Sequence, residues 1–121
     1  MAKRIMVIDD SAALRQTVLD ALTGAGYDVI AAADGREALE MLDGSKVDLM
    51  ICDVHMPRMD GITFVRAVKQ RADYRFVPII MLTTESSEQS REAGQMAGAK
   101  AWVVKPFRSE QILHAVSKLV A

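Results

Sequence analysis

Five polar residues in this sequence are of types that could carry out chemistry together. The pair Asp9-Asp10, and then Asp53, Thr83 and Lys105, each follow a short apolar run. Two carboxylates about 4–5 Å apart repel each other by roughly 3–4 kcal/mol at an effective dielectric of about 20. Three carboxylates at one place therefore require a nearby cation or must take up protons.

The chemistry that this set favours is phosphoryl transfer to a carboxylate. Carboxylate oxygens suit a hard divalent cation, and Mg²⁺ usually binds through one or two carboxylates, waters and a phosphate. Three carboxylates, one Mg²⁺ and one lysine sum to zero formal charge. An added phosphoryl group could be stabilised by the cation and by Lys105, and the Thr83 hydroxyl could donate to it. Metal, nucleophile, cationic clamp and hydroxyl donor are the parts that such a transfer needs.

The elements that must position these residues follow from the hydrophobic pattern. Continuous apolar runs occur at residues 5–8, 29–32, 49–52, 77–82 and 101–104, which is typical of strands covered on both faces. Amphipathic segments lie between them. Strict alternation of strand and helix predicts an α/β fold with a doubly wound, five-stranded parallel sheet, and a barrel would need about twice this length. In such a sheet, ligands bind beyond the carboxyl ends of the strands.

The helical segments have recognisable starts and apolar faces. Asp34 and Glu37 form a cap-like pair before the second helix, and Asp60-Gly61 favours a turn and cap before the third. The fourth helix, residues 86–97, is the least apolar. Its expected inward side chains are Ala93, Met96 and Ala97. The apolar faces of the first and last helices consist of Leu14, Val18, Ala21 and Leu22, and of Ile112, Leu113, Val116, Leu119 and Val120.

Composition limits the class of protein. The 121 residues are 50% hydrophobic and favour one domain with its own core. The formal charge of −1 argues against nucleic acid or an anionic membrane surface as partner. Cys52 is the lone cysteine and fits a reducing compartment. No run approaches the roughly 20 apolar residues of a membrane span. We therefore expect a cytoplasmic single domain over residues 1–121, without an output domain.

Four motifs together resemble the signature of response-regulator receiver domains. They are Asp9-Asp10, the segment 53–61, Thr83-Thr84 and Lys105-Pro106-Phe107, in order and each at the expected strand end. The segments around Thr83 and Trp102 are similar to the CheY group of chemotaxis receivers. The resemblance implies a flavodoxin-like sheet with strand order 2-1-3-4-5 and a cis peptide bond at Lys105–Pro106.

The resemblance also implies a role for each site residue. Asp53 is the implied phosphoryl acceptor. Direct Mg²⁺ ligands would be Asp10, Asp53 and the main-chain carbonyl of His55, with Asp9 acting through a bound water. Lys105 would contact the phosphoryl oxygens. Thr83 would move toward the phosphate, and Trp102 would turn inward as Thr83 moves. We also expect His55 and Glu85, two residues after Asp53 and Thr83, to modulate the lifetime of the acyl phosphate by controlling access of water.

These roles predict a signalling switch of a two-component system. A sensor histidine kinase would donate the phosphoryl group, and the chain would signal by contacting a downstream protein. The flagellar motor switch, as in chemotaxis, is one candidate target, and a phosphatase is a further candidate partner. In this hypothesis the chain catalyses only its own phosphorylation and dephosphorylation.

Several alternatives stay open at this point. The chain could be a stand-alone phosphorelay receiver or a fragment of a longer regulator. A metal-dependent phosphohydrolase is disfavoured because Asp53 follows the third apolar run rather than the first. A receiver that no longer takes phosphate is disfavoured by the intact residue set. At single positions, Asp9 and Asp10 could merely cap the first helix, Asp53 could be a turn residue, and Trp102 could be ordinary core packing.

Overall fold

The computed structural model describes residues 2–56, 59–84 and 88–120, apart from the side chains of residues 88–91 and 94. Five strands alternate with five helices. The strands are β1 (Arg4–Ile8), β2 (Asp28–Ala32), β3 (Leu49–Asp53), β4 (Ile79–Thr83) and β5 (Ala101–Val104). The helices are α1 (Ala12–Gly24), α2 (Gly35–Met41), α3 (Gly61–Lys69), α4 (Glu88–Ala97) and α5 (Ser109–Val120). None of the helices within the described ranges is long and apolar enough to cross a membrane.

The strands form one parallel sheet in the order β2-β1-β3-β4-β5, as predicted. All five residues of β3 and all five of β4 are buried. Their continuous apolar runs follow from this burial, because a strand covered by helices on both faces has no solvent-facing side.

Alternate residues of each central strand belong to two separate cores. Ile5, Val7, Ile51 and Leu82 pack with the helices α1 and α5 on one face of the sheet. The other face packs with α2, α3 and α4, and its core is built mainly from Met6, Ile8, Met50, Cys52, Phe64, Val65 and Val68. The sheet is therefore covered on both faces, as a doubly wound fold requires.

Three helices begin at side chains that accept a hydrogen bond from a backbone N–H three residues later. Ser11 caps α1 through the N–H of Leu14 at 3.2 Å. Asp34 caps α2 through Glu37 at 2.8 Å, and Asp60 caps α3 through Thr63 at 2.8 Å. The capping roles predicted for Asp34 and Asp60 are confirmed, and the cap of α1 is Ser11 rather than Asp9 or Asp10.

Two further expectations need correction. Met96 is 87% exposed, so its predicted inward orientation is wrong. The small side chains of Ala97 and Ala99 contact the core instead, and Met96 lies outside that face. The fourth strand begins at Ile79 rather than residue 77, because Pro78 has no N–H to donate to a sheet ladder. The cis peptide bond at Lys105–Pro106 is present.

Candidate functional site

Strand register brings the predicted site residues to one edge of the sheet. Ile8 pairs with Cys52, so Asp9, which follows β1, and Asp53, the last residue of β3, are neighbours. At the other side of β4, Thr83 pairs with Val104, and the next residue is Lys105. The carboxyl ends of four strands therefore deliver their polar residues to the same place, as the sequence predicted.

The three aspartates form a compact oxygen cluster. One carboxylate oxygen from each of Asp9, Asp10 and Asp53 lies within 4.8 Å of the others. Asp9 and Asp53 are buried, whereas Asp10 is exposed and leaves the cluster open to solvent. The Oδ2 atom of Asp9 is buried and has no hydrogen-bond partner among the described residues. Because this is a set of hard oxygen donors with an unsatisfied buried acceptor, the cluster fits a hard cation such as Mg²⁺.

Lys105 supplies the positive charge inside the cluster. Its Nζ lies 3.2 Å from Oδ2 of Asp53 and 3.6 Å from Oδ2 of Asp9. The side chain is only 17% exposed, so water screens these ion pairs less than it would screen surface pairs. Thr83 is fully buried beside it, and the main-chain carbonyl of Thr83 accepts a 2.7 Å hydrogen bond from the N–H of Lys105. The lysine is thereby held at the end of β5 by backbone pairing.

Two buried acids at the end of β3 have raised pKa values. Burial is the main cause for Asp53, and the charge of Asp9 raises its pKa further, while Lys105 acts in the opposite direction. Burial also raises the pKa of the Cys52 thiol well above its usual value, with the charge of Asp53 adding to the effect. Cys52 is therefore kept neutral and serves as an inert core side chain.

Sequence reasoning missed one basic residue near the start of α1. Arg15 donates a 2.6 Å hydrogen bond from Nη1 to the carbonyl oxygen of Asp9. Asp9 also accepts a 2.9 Å bond on Oδ1 from the N–H of Ser11. These contacts hold the Asp9 backbone and side chain in place. The available signal was an arginine in the first turns of a helix that begins directly after two aspartates.

The β3–α3 connection explains the Asp60-Gly61 pair. Gly61 is buried and donates a 2.8 Å hydrogen bond to the carbonyl oxygen of Val54. A Cβ atom at this position would lie 2.9 Å from Cα of Val54 and even closer to the carbonyl oxygen of Asp53. Only glycine lets α3 begin this close to the backbone that carries Asp53.

The structure describes one of the two predicted lifetime modulators and the predicted switch residue Trp102. His55 is exposed, and its N–H donates a long 3.4 Å hydrogen bond to Oδ1 of Asp53. Trp102 is partly buried and packs against the core on the α2–α4 face. This packing agrees with the alternative interpretation of Trp102 as an ordinary core residue. Glu85 lies outside the described residues.

Comparisons with known proteins agree with this geometry. Residues 5–117 match the family model of the response regulator receiver domain. The chain is 43% identical to the Vibrio cholerae chemotaxis protein CheY4, with a TM-score of 0.95, and the match covers 98% of this chain and 99% of that one. The receiver domain of the Pseudomonas aeruginosa sensor histidine kinase PA1611, solved with magnesium in its active-site cleft, is 25% identical with a TM-score of 0.90 over 99% and 98% of the two chains.

Two longer relatives are also similar. Response regulator MprA of Mycobacterium ulcerans is 39% identical over 120 residues, and that of Mycolicibacterium vanbaalenii is 38% identical. Each match covers 99% of this chain and 51% of the relative, so the chain spans about half the length of these regulators. The family match, the sheet order and the acidic edge with its lysine lead to one conclusion: the chain belongs to the response regulator receiver domains of two-component systems.

Proposed function

We propose that the chain is a phosphorylation-activated signalling switch whose acceptor is Asp53. The observation that carries the proposal is the placement of Lys105, 3.2 Å from the Asp53 carboxylate and 3.6 Å from that of Asp9. An ammonium group there can neutralise a phosphoryl group attached to Asp53, and its side chain is only 17% exposed, so water screens its charge weakly. Thr83, buried at the end of the next strand, supplies a hydroxyl at the same edge.

In this proposal the phosphodonor is the phosphohistidine of a sensor kinase. A carboxylate oxygen of Asp53 attacks phosphorus, the P–N bond breaks, and the histidine nitrogen leaves with the bonding electrons. Asp10, Asp53 and the His55 carbonyl would hold Mg²⁺, with Asp9 acting through water, and the ion would supply neutralisation of phosphoryl charge. Lys105 orients the transferred group, and Thr83 changes its hydrogen bonding in response. The chain thus catalyses only its own phosphorylation and dephosphorylation.

Signalling would follow from a shift between two conformations. Thr83 and Trp102 are the proposed reporters, because one ends β4 and the other lies on the adjacent strand β5. A phosphoryl group that draws Thr83 toward Asp53 leaves space behind it for the indole to move inward. The phosphoryl group shifts the populations of the two conformations because its interactions with the protein are more favourable in one of them.

His55 and Glu85 are proposed to set how long the acyl phosphate persists. The exposed imidazole of His55 lies two residues after the acceptor, where it can admit or exclude the hydrolytic water. His55→Asn should therefore change the rate of dephosphorylation, measured as phosphate release at saturating magnesium. Equal rates in the two proteins would refute the role of His55.

The central experiment is phosphorylation by acetyl phosphate with magnesium. Mass spectrometry should find one added phosphoryl group in the wild type and none in Asp53→Asn. Asp73→Asn, which changes an exposed aspartate between α3 and β4, is the matched control and should retain the phosphoryl group. A group located on a serine, or present in Asp53→Asn, would contradict the proposal.

The downstream partner is proposed to be a protein, with the flagellar motor switch as the first candidate. Support comes from the CheY4 match, which covers nearly the full length of both chains. One receiver over residues 1–121 without an output domain remains a prediction, and the longer MprA relatives keep the fragment alternative open. If this target is correct, phosphorylated protein should recover more of the motor-switch protein in a pull-down than Asp53→Asn does. Recovery of equal amounts would count against this target.

A further inference from the structure

Three hydrogen bonds hold Asp9 beyond the end of β1. Its N–H donates to the carbonyl oxygen of Ala32 at 3.2 Å, and its Oδ1 accepts from the N–H of Ser11 at 2.9 Å. The carbonyl oxygen of Asp9 accepts a 2.6 Å hydrogen bond from Nη1 of Arg15. Hydrogen bonds with a charged donor are short and strong. Arg15 therefore fixes the peptide group that joins Asp9 to Asp10.

Asp10 has no attachment of its own to the part of the chain that the structure describes. Neither its backbone nor its carboxylate forms a hydrogen bond with any described residue. One of its carboxylate oxygens nevertheless lies within 4.8 Å of oxygens from Asp9 and Asp53. A peptide group is planar, so the carbonyl oxygen of Asp9 and the Cα of Asp10 turn together. The direction of the Asp10 carboxylate thus depends on the group that holds the Asp9 carbonyl, which is Arg15.

The start of α1 provides a rigid support for Arg15. Its backbone N–H donates to the carbonyl oxygen of Ser11 at 2.9 Å, and the Ser11 hydroxyl caps the same helix through Leu14. We propose that Arg15 is a positioning residue for the metal site and directs the Asp10 carboxylate toward the cation through the Asp9 carbonyl. This inference rests on the proposed binding of Mg²⁺ to the acidic cluster and not on phosphorylation of Asp53.

The positive charge of Arg15 acts against its positioning role, and this opposition makes the role testable. A guanidinium group near three carboxylates offsets part of their negative charge, and it repels a bound cation. Removal of the charge alone should strengthen Mg²⁺ binding, whereas loss of the hydrogen bond to Asp9 should weaken it. The direction of the change in affinity therefore distinguishes a positioning residue from a purely electrostatic one.

The test is calorimetric titration of the unphosphorylated protein with MgCl₂ at pH 7, with NaCl used to match ionic strength. Arg15→Met removes both the charge and the donor, and it should raise the Kd about tenfold, as the loss of a group that orients a metal ligand commonly does. Arg15→Lys keeps a charged donor for the single carbonyl oxygen and should stay within about threefold of the wild type. Arg66→Met removes an exposed guanidinium from the last turn of α3 and should leave the Kd unchanged.

A second control separates positioning from general loosening of α1. Val18 lies in the core on the inner side of this helix, so Val18→Ala should lower the Tm in EDTA without changing the Kd for Mg²⁺. The inference is overturned if Arg15→Met binds Mg²⁺ as tightly as the wild type or more tightly. It is also overturned if Arg15→Lys binds no better than Arg15→Met, or if Val18→Ala weakens binding equally.

The same titration distinguishes this inference from the proposed function. A wild type that does not bind Mg²⁺ would overturn both the role of Arg15 and the proposed metal site. A protein that binds Mg²⁺ with the expected order of affinities but does not accept a phosphoryl group on Asp53 would contradict the proposed switch alone.

Discussion

At the scale of single residues, the buried Asp53 carboxylate is placed where its charge is unfavourable in the metal-free protein. Burial and the neighbouring Asp9 raise its pKa, and Lys105 offsets only part of this. A carboxylate of this kind favours binding of a cation, because the positive charge relieves the repulsion among the carboxylates. Asp53, the proposed acceptor, thus lowers the free energy of unfolding of the metal-free protein.

Replacing Asp53 should therefore stabilise the metal-free protein. An acid whose pKa is higher in the folded state destabilises the fold as pH rises above 3.8 through the folded pKa, because the folded state then loses a proton that it binds more tightly than the unfolded chain does. Asp53→Asn removes this effect. Thermal unfolding in EDTA should give a higher Tm than wild type at pH 7, and the difference should shrink toward pH 4. Asp73→Asn should match wild type throughout, and an equal or lower Tm for Asp53→Asn at pH 7 would contradict the argument.

At the scale of elements, the β3–α3 connection links the acceptor to a helix. Asp60 caps α3, and Gly61 approaches the backbone of Asp53 and Val54 too closely for any side chain. The start of α3 therefore positions the end of β3. A substitution that disturbs this junction should therefore displace both the start of α3 and the carboxylate of Asp53.

Gly61→Ala should be destabilising by about 1–3 kcal/mol or more, because the added methyl group can be accommodated only by moving backbone. Gly24→Ala is the matched control. Gly24 ends α1, and a Cβ there meets nothing within 4 Å, so alanine should be neutral or stabilising by about 0.4–1 kcal/mol. Urea unfolding monitored by circular dichroism measures both. Equal stability of the two variants would show that the junction relaxes easily.

At the scale of the whole molecule, cation binding and folding are linked. Two of the three carboxylates follow β1 and the third ends β3, so they converge only in the folded sheet. An ion that binds this cluster and not the unfolded chain must raise the free energy of unfolding. The binding site for the cation therefore forms only when the chain folds.

Magnesium at ten times its dissociation constant should stabilise the wild type by about 1.4 kcal/mol. The measurement is the urea midpoint with and without millimolar MgCl₂, using NaCl to match ionic strength. Asp10→Ala should abolish the gain, because it removes an exposed ligand while leaving the buried carboxylates in place. Lys46→Gln, at an exposed lysine before β3, should keep the gain. An undiminished gain in Asp10→Ala would exclude Asp10 as a ligand.

The fold and the polar edge of its sheet could be predicted from the sequence alone. Hydrophobic periodicity is a local property, so the buried runs and amphipathic segments could be recognised without any knowledge of their neighbours. Because the ends of parallel strands meet at one edge, Asp9, Asp53, Thr83 and Lys105 could be placed together from their order alone. The caps at Asp34 and Asp60 were predictable for the same reason, since a cap depends on residues three apart.

Contacts between distant residues and the exposure of single side chains became visible only in the folded structure. The pairing of Lys105 with Asp53 and Asp9 depends on the register of strands that are distant in sequence. The exposure of Met96 depends on how closely α4 approaches the sheet through its alanines. The close approach at Gly61 likewise arises from packing between elements, because such distances are determined by three-dimensional contacts that no local pattern encodes.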